Sequence, residues 1–103
     1  MTFRKVGPFE AAKVKASVSP LDFYANELGI DPYRHHREWI VGGICPFHND
    51  TAEGSFHVNL ATGGFNCFSC GSKGGDIIAF IRLRDELTFA QAIAYVANAG
   101  GLQ

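Results

Sequence analysis

The sequence predicts an α+β domain in which a small antiparallel sheet is flanked by helices. Three observations carry this reading. Ser19-Pro20-Leu21-Asp22 has the form of a helix start, with serine as cap, proline at the first helical position and an acid in the first turn. From Ser55 to Leu60 the chain alternates strictly, Phe56, Val58 and Leu60 expected inward against Ser55, His57 and Asn59 outward, which is the period of a half-buried strand. Thr88-Phe89-Ala90-Gln91 has the form of a capping box, so a further helix starts there.

In chain order, residues 1–16 read as an arm with weak structure of its own and residues 17–103 as one domain. Leu21, Tyr24, Ala25 and Leu28 share one face of the first helix, which Gly29 ends. Tyr33 to Ile44 reads as one or two strands broken by Gly42-Gly43. Ala61-Thr62-Gly63-Gly64 is a turn, and Phe65 begins a return strand into Cys67. Asp76 opens a helix with Ile77, Phe80, Ile81 and Arg84 along one face. Phe89, Ile93, Val96 and Ala97 form the expected buried stripe of the last helix, which Gly100-Gly101 stops.

With 103 residues, 47% hydrophobic and 13% aromatic, the chain suits one domain able to build a core rather than a disordered tail. A domain this short still profits from an additional staple. Its apolar stretches fall far below the ~20 residues of a membrane span. Met1 to Phe9 contains Arg4, Lys5, Gly7 and Pro8 and lacks the apolar block of a signal peptide, so a cytoplasmic location is expected. The formal charge is −1, with 9 Lys+Arg against 10 Asp+Glu. Such a balance gives no global attraction to nucleic acid, and any binding has to come from a local patch or a partner.

Three cysteines cannot all pair within one chain, which argues against a disulfide framework. They sit instead in a paired pattern: Cys45-Pro46-Phe47-His48, then residues 49–66, then Cys67-Phe68-Ser69-Cys70. Two donors separated by two residues converge on a tight turn, and the intervening hairpin brings the two pairs together around a tetrahedral ion. Thiolate and imidazole donors select Zn²⁺ over Mg²⁺ or Ca²⁺. One Zn²⁺ held by Cys45, His48, Cys67 and Cys70 is expected, with bonds of about 2.3 Å to sulfur and about 2.0–2.1 Å to nitrogen. Four protein donors leave no open position for an activated water, so the ion is structural. Three thiolates around one divalent ion bring the charge from −1 to −2. His57 is the rival nitrogen donor, but it lies mid-strand on the polar side without a partner two residues away. Phe65 and Phe68, flanking a donor, are expected to shield the thiolates from water, and Phe47 and Phe56 to lie in the core.

Cys45-Pro46-Phe47-His48-Asn49, Ser55-Phe56, Cys67-Phe68-Ser69-Cys70-Gly71, Gly74-Gly75-Asp76-Ile77-Ile78-Ala79-Phe80-Ile81 and Leu87-Thr88-Phe89-Ala90-Gln91-Ala92-Ile93 together resemble the N-terminal zinc-binding domain of bacterial, DnaG-type DNA primases. The resemblance runs from about Ser17 to Ala97. It implies a zinc-ribbon-like antiparallel sheet with the metal at one end and helices alongside. It also implies a role in DNA replication: engaging single-stranded template and helping to choose where primers start. Polymerisation in that family belongs to a separate Mg²⁺-dependent catalytic domain, so no primer synthesis is expected of these residues alone. The implied partners are single-stranded DNA, a primase catalytic domain or protein, and a replicative helicase. The chain departs from the family on its contact strands. His35, His36 and Trp39 stand where lysines and an arginine are usual, Asn49 to Gly54 is longer and acidic, and Thr62 and Asn66 replace a lysine and a histidine.

The residues left for nucleic acid are Arg34, His35, His36, Arg37 and Trp39, with Lys73 beside the second donor pair. Cations with a base-stacking aromatic suit a single strand, and the two histidines add charge below about pH 6.5. Arg82 and Arg84 are expected on a solvated helix face. Gly74-Gly75 is followed by no Lys-Ser/Thr and reads as a turn into the helix rather than a phosphate cradle. The competing reading is an accessory module that uses this fold to dock on a polymerase or helicase, in keeping with the negative charge and missing lysines. Catalysis by the chain itself conflicts with the saturated metal and the lack of clustered carboxylates.

Overall fold

The computed structural model describes residues 8–34, 37–49, 51 and 53–99. Two helices lead, α1 (Pro8–Ser17) and α2 (Pro20–Leu28). A single 3₁₀ turn (Pro32–Arg34) then enters the sheet of β1 (Trp39–Val41), β2 (Phe56–Asn59), β3 (Phe65–Cys67) and β4 (Lys73–Gly74). Helices α3 (Ile77–Asp85) and α4 (Phe89–Ala99) follow. No helix among the described residues is long and apolar enough to cross a membrane. The architecture is α+β, with every strand antiparallel to its neighbour in the order β1-β2-β3-β4.

Local chemistry sets the helix starts. The Ser19 side chain accepts from the Asp22 amide at 3.4 Å, and Gly29 closes α2 with a left-handed φ of 64°. Asp76 Oδ1 accepts from the Ala79 amide at 2.8 Å. Thr88 and Gln91 exchange side-chain and amide hydrogen bonds of 3.0 and 3.2 Å, a reciprocal box. The expected stop at Gly100-Gly101 lies outside the described residues.

The register places two rows across the sheet. Ile40, Val58, Phe65 and Gly74 align on the inner face, while Val41, His57, Asn66 and Lys73 align on the outer one. Inner-face Phe56 and Phe65 meet Phe80 of α3, and Phe23 and Tyr24 of α2 close on Phe80 with edge-on rings. Edge-to-face pairs of this kind add to area burial because ring edges and faces carry opposite charge. The buried Tyr24 hydroxyl donates to the Gly63 carbonyl and ties α2 to the turn between β2 and β3. Gly74 is required on the inner face: a Cβ there would fall 2.6 Å from the Phe65 ring.

Several sequence expectations are corrected. Residues 8–17 are a helix and not a weakly structured arm: Ala11 joins the core and Lys15 Nζ pairs with Asp76 Oδ2 at 2.9 Å. The buried face of α2 is Phe23 and Tyr24, with Leu21 and Ala25 only half-buried. The segment from Tyr33 to Ile44 yields the 3₁₀ turn and just three residues of strand. Asn59 is buried rather than outward-solvated, because its Oδ1 accepts from the amides of Ala61 and Thr62 at 2.9 and 2.8 Å and so organises the turn. Leu60 is half-buried at the start of that turn, against the edge of the core. On α4 the buried residues are Ala92, Ile93 and Val96, while Phe89 is exposed at the first helical position, before the helix reaches the core.

Candidate metal centre and the outer sheet face

The first donor pair lies on the loop after β1 and the second on the turn after β3. Between Cys45 and His48, Phe47 turns inward and packs on Phe56, Phe65 and Phe80 with ring centroids 5.3–5.8 Å apart. This anchors the loop, and the Phe47 amide donates to Cys45 Sγ at 3.4 Å. In the second pair the Cys70 amide donates to Cys67 Sγ at 3.5 Å, and Gly71 N–H bonds to the Cys67 carbonyl at 2.9 Å. Both turns thus aim a backbone amide at their first sulfur, which suits a thiolate.

The donor atoms of Cys45, His48, Cys67 and Cys70 all lie within 4.8 Å of one another. Cys45 Sγ is 3.9 Å from Cys70 Sγ, and Cys67 Sγ is 3.9 Å from His48 Nδ1. A tetrahedral ion with bonds of about 2.3 Å would set its donors about 3.8 Å apart, so the cluster fits Zn²⁺ in size and donor chemistry. The three cysteines are free. Burial pushes the Cys45 thiol up to about 12, the neighbouring sulfurs adding to the effect. Cys70 is exposed, and hydrogen bonds from Ser72, whose Oγ is 3.2 Å away, bring it down to about 6. The site therefore offers one thiolate at neutral pH and one thiol that must give up its proton to a metal.

His57 stands apart from this cluster, on the outer face of β2, with Nδ1 3.4 Å from the Ser55 carbonyl oxygen. Of the two aromatics expected to shield the sulfurs, Phe65 is buried in the core and Phe68 is 72% exposed. Phe68 sits mid-turn between two donors, where its backbone is committed and its ring projects outward, edge-on to His57 at 5.2 Å.

Of the residues expected to meet nucleic acid, Trp39 is 47% exposed on β1 and Lys73 is exposed on β4, opposite Asn66. Exposed Arg37 lines a concavity of about 650 Å³ with Trp39 and His57. Asp31 and Glu53 line it too, so its charge is mixed. His35 and His36, and the side chain of Arg34, lie outside what is described. Lys73 shares a second surface with Arg82 at the β4–α3 edge. Arg84 is not solvated as expected. It lies over the Phe80 ring at 5.4 Å and reaches Glu27 and the Tyr95 hydroxyl, joining α2, α3 and α4. Sequence reasoning placed His57 outward but assigned neither it nor Asn66 and Phe68 to a binding surface. The alternation Phe56-His57-Val58 was the available signal for His57, and for Phe68 there was none.

Comparison with known proteins agrees with this geometry. The family model described as CHC2 zinc finger matches residues 30–103. A DNA primase of Mycobacterium tuberculosis is 45% identical over 56 residues, covering 54% of this chain and 8% of that protein. The DNA primase of Streptomyces coelicolor is 42% identical over 60 residues, 58% of this chain and 9% of that protein. The Gene 58 protein of Mycobacterium phage D29 is 43% identical over 63 residues, 61% of this chain and 46% of that protein. The chain thus spans under a tenth of these bacterial relatives and about half of the phage one. In fold it is similar to the crystal structure of the Aquifex aeolicus primase (zinc-binding and RNA polymerase domains), with a TM-score of 0.70 at 24% identity over 91% of this chain and 22% of that one. The chain belongs to the CHC2 zinc finger family, the zinc-binding domain of DnaG-type primases, and carries that family's single structural zinc.

Proposed function

We propose that this domain recognises single-stranded DNA template within a primase system, through the outer face of the sheet that the zinc site closes. Cys45, His48, Cys67 and Cys70 hold the ion, which supplies no chemistry beyond joining the β1 loop to the β2–β3 hairpin. The observation that carries the reading is the outer face itself. Two exposed aromatics, Trp39 and Phe68, flank His57 and Asn66, and cations stand beyond them at Arg37 and at Lys73 with Arg82. Stacking of a base on an aromatic is worth about 1–3 kcal/mol, and a groove lined with cations follows the backbone. Arg34, His35 and His36 directly precede Arg37 in the sequence and are proposed as further contacts.

A charge of −1 and the acids beside Arg37 make the intrinsic affinity weak. A catalytic primase domain holding the same template would raise it through effective concentration. That domain performs the polymerisation, and a replicative helicase is the further partner this role requires.

The test is titration of a labelled single-stranded oligonucleotide at two salt concentrations, followed by amide shifts. Shifts are expected at Arg37, Trp39, His57, Asn66 and Lys73, with affinity falling as salt rises and a shallower slope in Arg37→Ala/Lys73→Ala. Absence of binding at millimolar protein, or shifts confined to α3 and α4, would favour the docking module instead. Exposed Leu83 and Phe89 lie on that side.

A further inference from the structure

Within the outer face, Trp39, His57, Asn66 and Phe68 enclose a shallow slot of about 210 Å³. Drug-sized ligands occupy pockets of about 300–1,000 Å³, so this space suits one ring system and not a run of nucleotides. The walls are fixed by their backbones. Trp39 is held in β1 opposite Asn59, and its ring end reaches Gly64 at the start of β3, where a Cβ would lie 3.6 Å from Cη2. Phe68 is clamped by its amide bond to the Ser55 carbonyl at 2.9 Å and by its place between two donor cysteines. His57 stands between them, its ring set edge-on to Phe68 and its Nδ1 turned to Ser55.

Asn66 gives the slot its polar function. Its side-chain amide makes no hydrogen bond among the described residues, whereas the Oδ1 of Asn59 accepts two backbone amides in its turn. A half-buried amide beside two unstacked rings offers one donor and one acceptor in a plane, and such a pair engages adenine at N6 and N7 bidentately. Lys73, paired in register with Asn66, places a cation at the exit toward β4.

We infer that the slot binds a single unstacked base of the template between Trp39 and Phe68, and that Asn66 reads its edge with preference for adenine. This rests on the template-binding reading above. It adds a sequence-reading residue and a site for one base to a face that could otherwise hold any strand through its phosphates alone. Extrusion of one base onto aromatic walls, with hydrogen bonds to its exposed edge, is how unstacked bases are read in single strands generally.

Trp39 is the only tryptophan of the chain, so its fluorescence reports occupancy directly. The experiment compares an all-thymidine oligonucleotide with one carrying a central dA, using zinc-loaded wild type, Trp39→Leu, Phe68→Leu and Asn66→Ala. Affinity is read by anisotropy of labelled DNA, and zinc content confirms that each variant is intact. Wild type is expected to quench on binding and to favour the dA strand roughly tenfold. Trp39→Leu and Phe68→Leu should weaken both strands roughly 5- to 150-fold, the span of one stacked base. Asn66→Ala should lose the preference yet keep the affinity for thymidine. Binding without quenching, or equal affinity in the Trp39 and Phe68 variants, overturns the slot while leaving template binding intact. A preference that survives Asn66→Ala overturns the reader. No binding by wild type to either strand overturns the template reading beneath both.

Discussion

Packing of Phe47 on Phe80 joins the metal loop to the helical layer: the two ring centroids lie 5.5 Å apart with an interplanar angle of 73°. The residue between the first two donors is therefore also a core residue. Phe47→Ala should remove the wedge and leave a cavity among Phe56, Phe65 and Phe80, costing roughly 2–4 kcal/mol for a partly buried ring. Because the same ring fixes the loop, zinc affinity should fall with stability. Denaturant unfolding with and without a chelator measures both, and an unchanged zinc affinity would show that the loop holds itself.

Cys67→Ala and His57→Ala separate the metal site from the sheet face. The first removes a buried donor at the end of β3 and should release the ion and disorder the hairpin, since structural Zn²⁺ contributes about 10–16 kcal/mol in small domains. The second alters a group outside the cluster and should leave one zinc per chain. Native mass spectrometry with far-ultraviolet circular dichroism distinguishes them; equal zinc loss in both would mean that the wrong histidine was assigned.

Zinc affinity should rise with pH. In the metal-free chain the Cys45 thiol is pushed up to about 12, so it remains protonated through the neutral range and must release its proton on binding. Each net proton released makes the apparent affinity about tenfold higher per pH unit. Cys70, brought down to about 6, adds to that slope only as pH falls through 6, where protonation of its thiolate opposes the metal further. Chelator competition between pH 5.5 and 8.5 should therefore show affinity lost toward acid, more steeply below about 6. A flat profile would contradict the assignment of Cys45 as a donor.

Arg84→Ala and Arg82→Ala should differ. Arg84 bridges Glu27 and Tyr95 over the Phe80 ring, and its loss leaves a partly buried carboxylate without its cation, costing about 1–3 kcal/mol. Exposed Arg82 should change stability by less than about 0.5 kcal/mol and act only on DNA affinity. Thermal unfolding of both variants is the measurement, and similar melting temperatures would remove the structural role given to Arg84.

What was legible in the sequence was local. Ser19, Asp76 and Thr88 announce their helices because a cap is satisfied within three residues, and the donor pairs announce the metal because two short turns contain all four groups. What was hidden depends on partners far along the chain. Nothing near Phe89 says that the first turn of α4 overhangs the core, and nothing near Phe68 says that the turn points its ring outward. Arg84 looks like any helix arginine until Glu27 arrives from α2. Asn59 alternates correctly with its neighbours, yet the turn after it claims its side chain. The helix at residues 8–17 is weakly patterned and gains its place from Ala11 and from the Lys15–Asp76 pair.

The two donor pairs lie on separate segments, with His48 and Cys67 19 positions apart, and this has a kinetic consequence. The five residues that join β2 to β3 are organised by the Asn59 side chain and tied to α2 by the Tyr24 hydroxyl. Cys45 and His48 reach this hairpin from the loop after β1, which Phe47 anchors in the core. Where coordination is completed after the aromatic core has gathered, it slows escape from the folded state more than it speeds arrival. The ion then acts as a latch: it sets how long the assembled sheet face persists between openings, and, on the template-binding proposal, how long a bound strand would have a rigid surface to lie on.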